Sequence, residues 1–249
     1  HLFPGGKGAN QACAAGCLRA DVAMLGAVGE DTYADIQMAS LQKAGVDVSR
    51  IIRRQDASTG VAFITVNSEG DNSIVVVSGA NATLSCEDID AHIDLLKEAD
   101  VIMFQLEIPI ETVLYGAKMG KKFGKTVILD PAPVPKDFPE ELYRYVDVIK
   151  PNETELQMLT GIADIEEHLP EAADWLRKKG VKHVLVTLGE KGVYLEAEGE
   201  AACRIPALQV ETVDTTAAGD SFTAAFAVML AQGKSMKESA VFANYVSAL

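Results

Sequence analysis

In Val101-Ile102-Met103-Phe104-Gln105 and Thr126-Val127-Ile128-Leu129-Asp130, two nearly unbroken apolar runs enclose the helical stretch Glu111–Phe123. Side chains of a strand alternate between its faces, so a run that is apolar throughout belongs to a strand covered on both sides. A helix between two such runs is the crossover that parallel pairing needs. The same rhythm continues in both directions. Strands are expected at Val22–Gly26, Val146–Lys150 and His183–Thr187, and helices near Gly8–Arg19, Tyr33–Ala44, Glu87–Glu98, Glu153–Thr160 and Glu171–Lys179. This alternation gives an α/β fold with a mostly parallel sheet and helices on both faces.

Two regions break the rhythm. Val61–Val66 and Ser73–Ser78 flank the turn-rich Asn67-Ser68-Glu69-Gly70-Asp71-Asn72 with no helix between them, which predicts a β-hairpin standing outside the sheet as a flap. Val193–Leu195 and Ala202–Ile205 form a second hairpin candidate. Asp130-Pro131-Ala132-Pro133-Val134-Pro135 follows a strand directly and reads as a rigid strand-end loop. No repeat or linker divides the 249 residues, so they are expected to form a single domain.

Composition excludes several classes. Hydrophobic residues make up 48% and charged residues 23%, as in ordinary globular proteins, and no run of 18 apolar residues offers a membrane span. A formal net charge of −14 repels nucleic-acid phosphates and acidic membrane surfaces, so neither is an expected partner. It leaves room for a nucleotide, which backbone N–H groups and magnesium can hold locally. Cys13, Cys17, Cys86 and Cys203 form no C-x-x-C pair and suit a reducing cytoplasm. His1, His92, His168 and His183 show no ligand spacing.

Several stretches could carry chemistry. Gly5-Gly6-Lys7-Gly8-Ala9-Asn10 opens a helix of small residues, but the phosphate-loop spacing is missing, and no G-x-G-x-x-G occurs anywhere. On its own it is a tight helix start. Asp214-Thr215-Thr216-Ala217-Ala218-Gly219-Asp220 precedes a helix, placing small residues where free N–H groups and the positive dipole end can receive an anion. Asp220 either caps that helix or accepts a hydroxyl proton beside the anion hole. Asn152 with Glu155 is a capping-box pattern, and the same oxygens suit a hydrated magnesium; the residues leave both readings open. Thr187-Leu188-Gly189-Glu190-Lys191-Gly192 ends a strand in a tight turn or a nucleotide wall, and Glu107 follows a strand where it could meet sugar hydroxyls.

The order of these pieces is more specific than any one of them. Gly-Gly-Lys-Gly-Ala-Asn-Gln-Ala (5–12), Gly-Ala-Asn (79–81), Gln-Leu-Glu (105–107), Pro-Ala-Pro (131–133), Pro-Asn-Glu-Thr-Glu (151–155), Thr-Leu-Gly-x-x-Gly (187–192) and Asp-Thr-x-Ala-Ala-Gly-Asp (214–220) follow one another as in the ribokinase-like carbohydrate kinases, which the chain resembles over essentially its whole length. The resemblance implies a three-layer α/β domain over residues 1–249, with a small β-sheet lid that includes a hairpin at about 61–78. It implies transfer of the ATP γ-phosphoryl group to the 5-hydroxyl of D-ribose, with Mg²⁺ and an activating K⁺, in a homodimer formed through the lid.

Position by position, it makes Asp220 the base and gives Ala218 and Gly219 to the anion hole. Gly5, Gly6, Lys7, Asn10 and Glu107 would line the sugar. Asn152, Thr187, Gly189, Gly192, Gly219 and Asn244 would meet the nucleotide. Glu155 and Asn152 would serve magnesium, and Asp214 and Thr216 potassium. Measured against the family, the chain is expected to be incomplete at both ends, and Asp130 stands where some members carry asparagine. The alternatives are another sugar or nucleoside kinase of this fold, or a non-catalytic sugar- or nucleotide-sensing domain. An intact base and anion hole argue against the sensor.

Overall fold

The structure, a computed structural model, describes residues 2–66, 72–208 and 217–248. It begins with α1 (Lys7–Cys17), β1 (Gly26–Gly29), α2 (Thr32–Lys43) and β2 (Ile51–Arg54). β1 and β2 pair in parallel as a small sheet of their own. The strands β3 (Val61–Val66) and β4 (Asn72–Val77) follow, antiparallel and, among the described residues, forming a two-stranded sheet of their own. Then come α3 (Cys86–Ala91), α4 (Ile93–Glu98), β5 (Val101–Phe104), α5 (Ile110–Lys122), β6 (Thr126–Leu129), β7 (Val148–Ile149), α6 (Glu153–Thr160), α7 (Leu169–Lys179) and β8 (His183–Thr187). The chain continues through β9 (Val193–Glu196), β10 (Cys203–Ile205), α8 (Ala218–Ala231) and α9 (Met236–Val246).

The main sheet has the order β10-β9-β8-β7-β6-β5, parallel from β5 to β8 and antiparallel at β9 and β10. Its alternation builds the layers. Val127, Leu129, Ile149, Val184 and Val186 join one core with Val113 of α5, Leu156 of α6 and Leu176 of α7. Ile128, Val148 and Leu185, one step out of phase, join the opposite core with Phe222 and Phe226 of α8 and Ala240 and Ala243 of α9. Both faces are therefore buried, as the unbroken apolar runs require.

Three details depart from the sequence reading. The strand expected at Val22–Gly26 lies later, at Gly26–Gly29, because the backbone of 22–24 bonds instead to Asp47: Met24 N–H donates to Asp47 C=O at 3.1 Å and Asp47 N–H to Val22 C=O at 2.8 Å. Its partner β2 was not expected at all; it is half-buried and carries two arginines, so it lacks the continuous apolar signal. The helix expected over Glu87–Glu98 is broken at His92, whose backbone (φ −121°, ψ 29°) closes α3 and opens α4. The second hairpin candidate does form, but as the antiparallel edge of the main sheet.

Candidate active site

The site is built where the carboxyl ends of β5, β6, β7 and β8 meet the N-termini of α1 and α8. Helices α1 and α8 pack closely because their contact is made of small residues, Ala15 against Ala224 and Val228. Neither N-terminus has a side-chain cap, whereas α2, α3, α6 and α9 are capped by Asp31, Ser85, Asn152 and Ser235. Their first-turn N–H groups lack intrahelical acceptors, and their positive dipole ends favour negative charge. Ala217, just before α8, is held in the left-handed region at φ +61°. That conformation is costly for alanine and re-aims the chain so that Ala218, Gly219 and Asp220 form the helix entrance.

Asp220 is buried and held at both oxygens: Asn10 Nδ2 donates to Oδ2 at 2.9 Å and Gln11 Nε2 to Oδ1 at 3.2 Å. It does not cap its own helix, so the capping reading of this carboxylate falls away. On one side of it, Lys7 N–H donates to Glu107 Oε2 at 2.8 Å, joining α1 to the segment after β5. Gly6, at φ +93°, makes the turn into α1, and a Cβ there would sit 3.5 Å from that same glutamate oxygen. Burial raises the proton affinity of Glu107 above that of an ordinary glutamate. Burial works against the charge on Lys7, but Asp130, Asp220, Glu155 and Glu107 together outweigh it and raise its affinity for the proton. Gly5 is exposed at the rim, its N–H donating to Gln37 Oε1 at 3.1 Å.

On the other side, Asn152 caps α6 through a complete capping box with Glu155. Both Glu155 oxygens accept from Asn152, Oε2 from its N–H at 2.9 Å and Oε1 from its Nδ2 at 3.0 Å. The cap reading is therefore correct, and each Glu155 oxygen, accepting one hydrogen bond, keeps a further lone pair. Burial, with the Asp130 charge adding to it, raises the proton affinity of Glu155, so a nearby cation would be favoured. Among the described residues no three His, Cys, Asp or Glu side chains gather into a metal cluster. Asn152 bridges to Thr187 at the end of β8, whose N–H donates to Pro151 C=O at 3.0 Å. Gly189 and Gly192 follow, and a Cβ at Gly192 would lie 2.0 Å from Ile205 C=O. Asn244 of α9 donates to Pro206 C=O at 2.7 Å, so it borders the same segment. Asp214 and Thr216 lie outside the described residues.

Four side chains at the centre received no role from the sequence reading. Gln11 Nε2 also donates to Asp130 Oδ2 at 2.9 Å, Lys150 Nζ reaches that oxygen at 3.2 Å, and Gln105 Nε2 donates to Gln11 Oε1 at 2.5 Å. Asp130 and Lys150 stand at the carboxyl ends of adjacent strands β6 and β7, where sites of open α/β sheets form, and that position was the available signal.

The chain matches the model for pfkB family carbohydrate kinases over residues 1–249. It belongs to the pfkB family of carbohydrate kinases. Among its relatives, a ribokinase of Staphylococcus aureus (strain COL) is 40% identical over 249 residues, covering 99% of this chain and 81% of that protein. A deoxyribokinase of Salmonella typhi is also 40% identical, over 246 residues, covering 97% of this chain and 80% of that one. The structure of Arabidopsis thaliana ribokinase complexed with ribose and ATP superposes with a TM-score of 0.92 at 37% identity, over 98% of this chain and 80% of that one. The three-layer expectation is met: the parallel sheet is covered by helices on both faces. No helix among the described residues is long and apolar enough to cross a membrane.

Proposed function

We propose that this kinase transfers the γ-phosphoryl group of ATP to the 5-hydroxyl of D-ribose, giving ribose 5-phosphate and ADP. The observation that carries this reading is Asp220, buried and oriented by Asn10 and Gln11 at an uncapped helix entrance rather than capping it. Asp220 takes the proton of the 5-hydroxyl as its oxygen attacks the γ-phosphorus. The bond from that phosphorus to the β–γ bridging oxygen breaks, and its electron pair leaves with ADP. The N–H groups of Ala218 and Gly219 stabilise the charge spread over the transferring oxygens, which in such reactions is the larger part of catalysis. Gly5, Gly6, Lys7, Asn10 and Glu107 hold the sugar, and Asn152, Thr187, Gly189, Gly192 and Asn244 the nucleotide.

The residues fit a magnesium ion carried mainly by the nucleotide phosphates, with Glu155 and Asn152 reaching its hydration shell. Bound there, magnesium neutralises charge on the phosphates. Asp214 and Thr216 are proposed to hold potassium on the strength of the motif alone. The β3–β4 hairpin is read as the lid of one domain and as the contact of a homodimer, because it exposes apolar side chains such as Phe63 and Val75. Four free cysteines suit a reducing cytoplasm.

The test is release of ADP and formation of ribose 5-phosphate, measured separately with ATP. The deoxyribokinase relative supports a second reading, with 2-deoxyribose as acceptor, so both sugars belong in the assay. Ribose should give the higher kcat/KM; a preference for 2-deoxyribose would select the second reading, and ADP release indifferent to any sugar would overturn both.

A further inference from the structure

We propose that Gln11 is a positioning residue that fixes the rotation of Asp220, and that the buried Asp130–Lys150 pair serves to hold Gln11; the inference rests on Asp220 being the base. Gln11 is 0% exposed and its amide is fully committed. Its Nε2 donates to Asp130 Oδ2 at 2.9 Å and to Asp220 Oδ1 at 3.2 Å, and its Oε1 accepts from Gln105 Nε2 at 2.5 Å. Carboxylates only accept, so the NH₂ group must face the two aspartates, and the donor from Gln105 fixes the same choice from the other end. The amide cannot flip without losing three hydrogen bonds.

That arrangement distinguishes the two oxygens of Asp220. Oδ1 is anchored in the buried interior by Gln11, while Oδ2 sits on the partly buried side with Asn10. The oxygen that takes the sugar proton is therefore Oδ2, and Gln11 keeps it there. A base misplaced by about 1 Å can cost on the order of 100-fold in rate.

Two carboxylates on one amide repel each other unless one is compensated. Lys150, buried at 5% exposure, supplies that compensation at Asp130. The same ammonium approaches Gly219 C=O at 3.5 Å, tying the end of β7 to the first turn of α8. Thr223 Oγ1 donates to Gly219 C=O at 2.9 Å and lies 3.5 Å from Asp130 Oδ2, one turn along α8. Asp130 Oδ1, buried, has no hydrogen-bond partner among the described residues, so this carboxylate is anchored through its other oxygen alone. Its job is local: accept from Gln11 and answer Lys150.

The experiment compares Gln11→Met, Asp220→Asn, the two combined, and the double variant Asp130→Leu/Lys150→Met. In Gln11→Met, Asp220 keeps Asn10 and Asp130 keeps Lys150, and the double variant removes both charges of the pair together; thermal melting and ATP titration check that each variant folds. Gln11→Met should lower kcat roughly 10- to 100-fold, with KM for sugar and ATP within about twofold. In the Asp220→Asn background the same change should cost less than about twofold, because Gln11 acts only through that carboxylate. Asp130→Leu/Lys150→Met removes the acceptor that holds Gln11, so kcat should fall toward the Gln11→Met level with KM within about twofold. Parental kcat in Gln11→Met, or an undiminished loss in the Asp220→Asn background, would overturn the positioning role while leaving the base intact. Parental kcat in a folded Asp130→Leu/Lys150→Met variant would overturn the part given to the ion pair. An active Asp220→Asn variant would instead remove the base reading on which this one stands.

Discussion

Asp220, buried, and Glu107, half-buried, are carboxylates near the same lysine, yet they are held in different ways. Asp220 accepts from two side-chain amides, whereas Glu107 accepts from the Lys7 backbone. Asp220→Asn keeps the shape and one acceptor but removes the base. It is expected to lower kcat by roughly 10²–10⁴-fold with ATP affinity little changed, as read by steady-state kinetics and nucleotide titration. Glu107 carries a cost in the folded state, since burial raises its proton affinity above the ordinary glutamate value. A raised carboxylate contributes stability below the ordinary glutamate range, and that contribution is lost as pH rises through the raised value. Glu107→Gln removes the half-buried charge while keeping an acceptor for Lys7 N–H. It should therefore melt higher than the parent at pH 8, with the difference shrinking toward pH 4, while KM for the sugar rises. A melting difference that grows as pH falls would contradict the assigned cause. These two carboxylates were legible from motif order, but Gln11, Gln105, Asp130 and Lys150 were not. A glutamine inside an alanine-rich helix carries no local signal of what it meets across 119 residues, and Lys150 resembles any charged strand end.

Helix α6 shows one element serving two ends. Its capping box is complete, so Glu155 has a structural duty whatever its part in catalysis. Glu155→Gln preserves an acceptor for the Asn152 N–H and so the cap, worth about 1 kcal/mol, but lowers the charge available to magnesium. The expected result is an unchanged melting temperature with a magnesium titration shifted to higher concentration; an unshifted titration with full activity would leave only the cap. The β8–β9 turn is constrained differently. Gly192 sits at φ +89° with Ile205 C=O where a Cβ would be, so Gly192→Ala is strained both in its own backbone and against its neighbour. A loss of about 1–3 kcal/mol by denaturant unfolding is expected, together with a raised KM for ATP, because the displaced 205–207 segment is the one Asn244 holds. The sequence predicted a turn here from its two glycines. It could not show that the second is needed for close approach, since the approaching backbone is distant in the chain.

At the scale of the whole molecule, the parallel core was readable because burial on both faces leaves unbroken apolar runs, as in Thr126–Leu129 and His183–Thr187. The β1–β2 pair was misread because a short, half-buried pair with arginines leaves no such trace. The β3–β4 hairpin was found from its turn residues, but its environment is what its composition leaves unexplained. Phe63 is 59% exposed, and Val75 and Val76, which point to opposite faces of β4, are each 61% exposed. Solvent on both faces of an apolar two-stranded ribbon is unfavourable, and an isolated hairpin is at best marginally stable in water. A second copy pairing its own hairpin across a two-fold axis would cover one of those faces, and closure over the sugar would cover the other. Val75→Asp and Val76→Asp are therefore expected to differ. One should shift the protein from dimer to monomer by sedimentation equilibrium, with sugar KM raised as a consequence of a destabilised lid. The other should raise sugar KM while the dimer persists. Both variants remaining dimeric with unchanged KM would mean that the hairpin is neither the contact nor the lid.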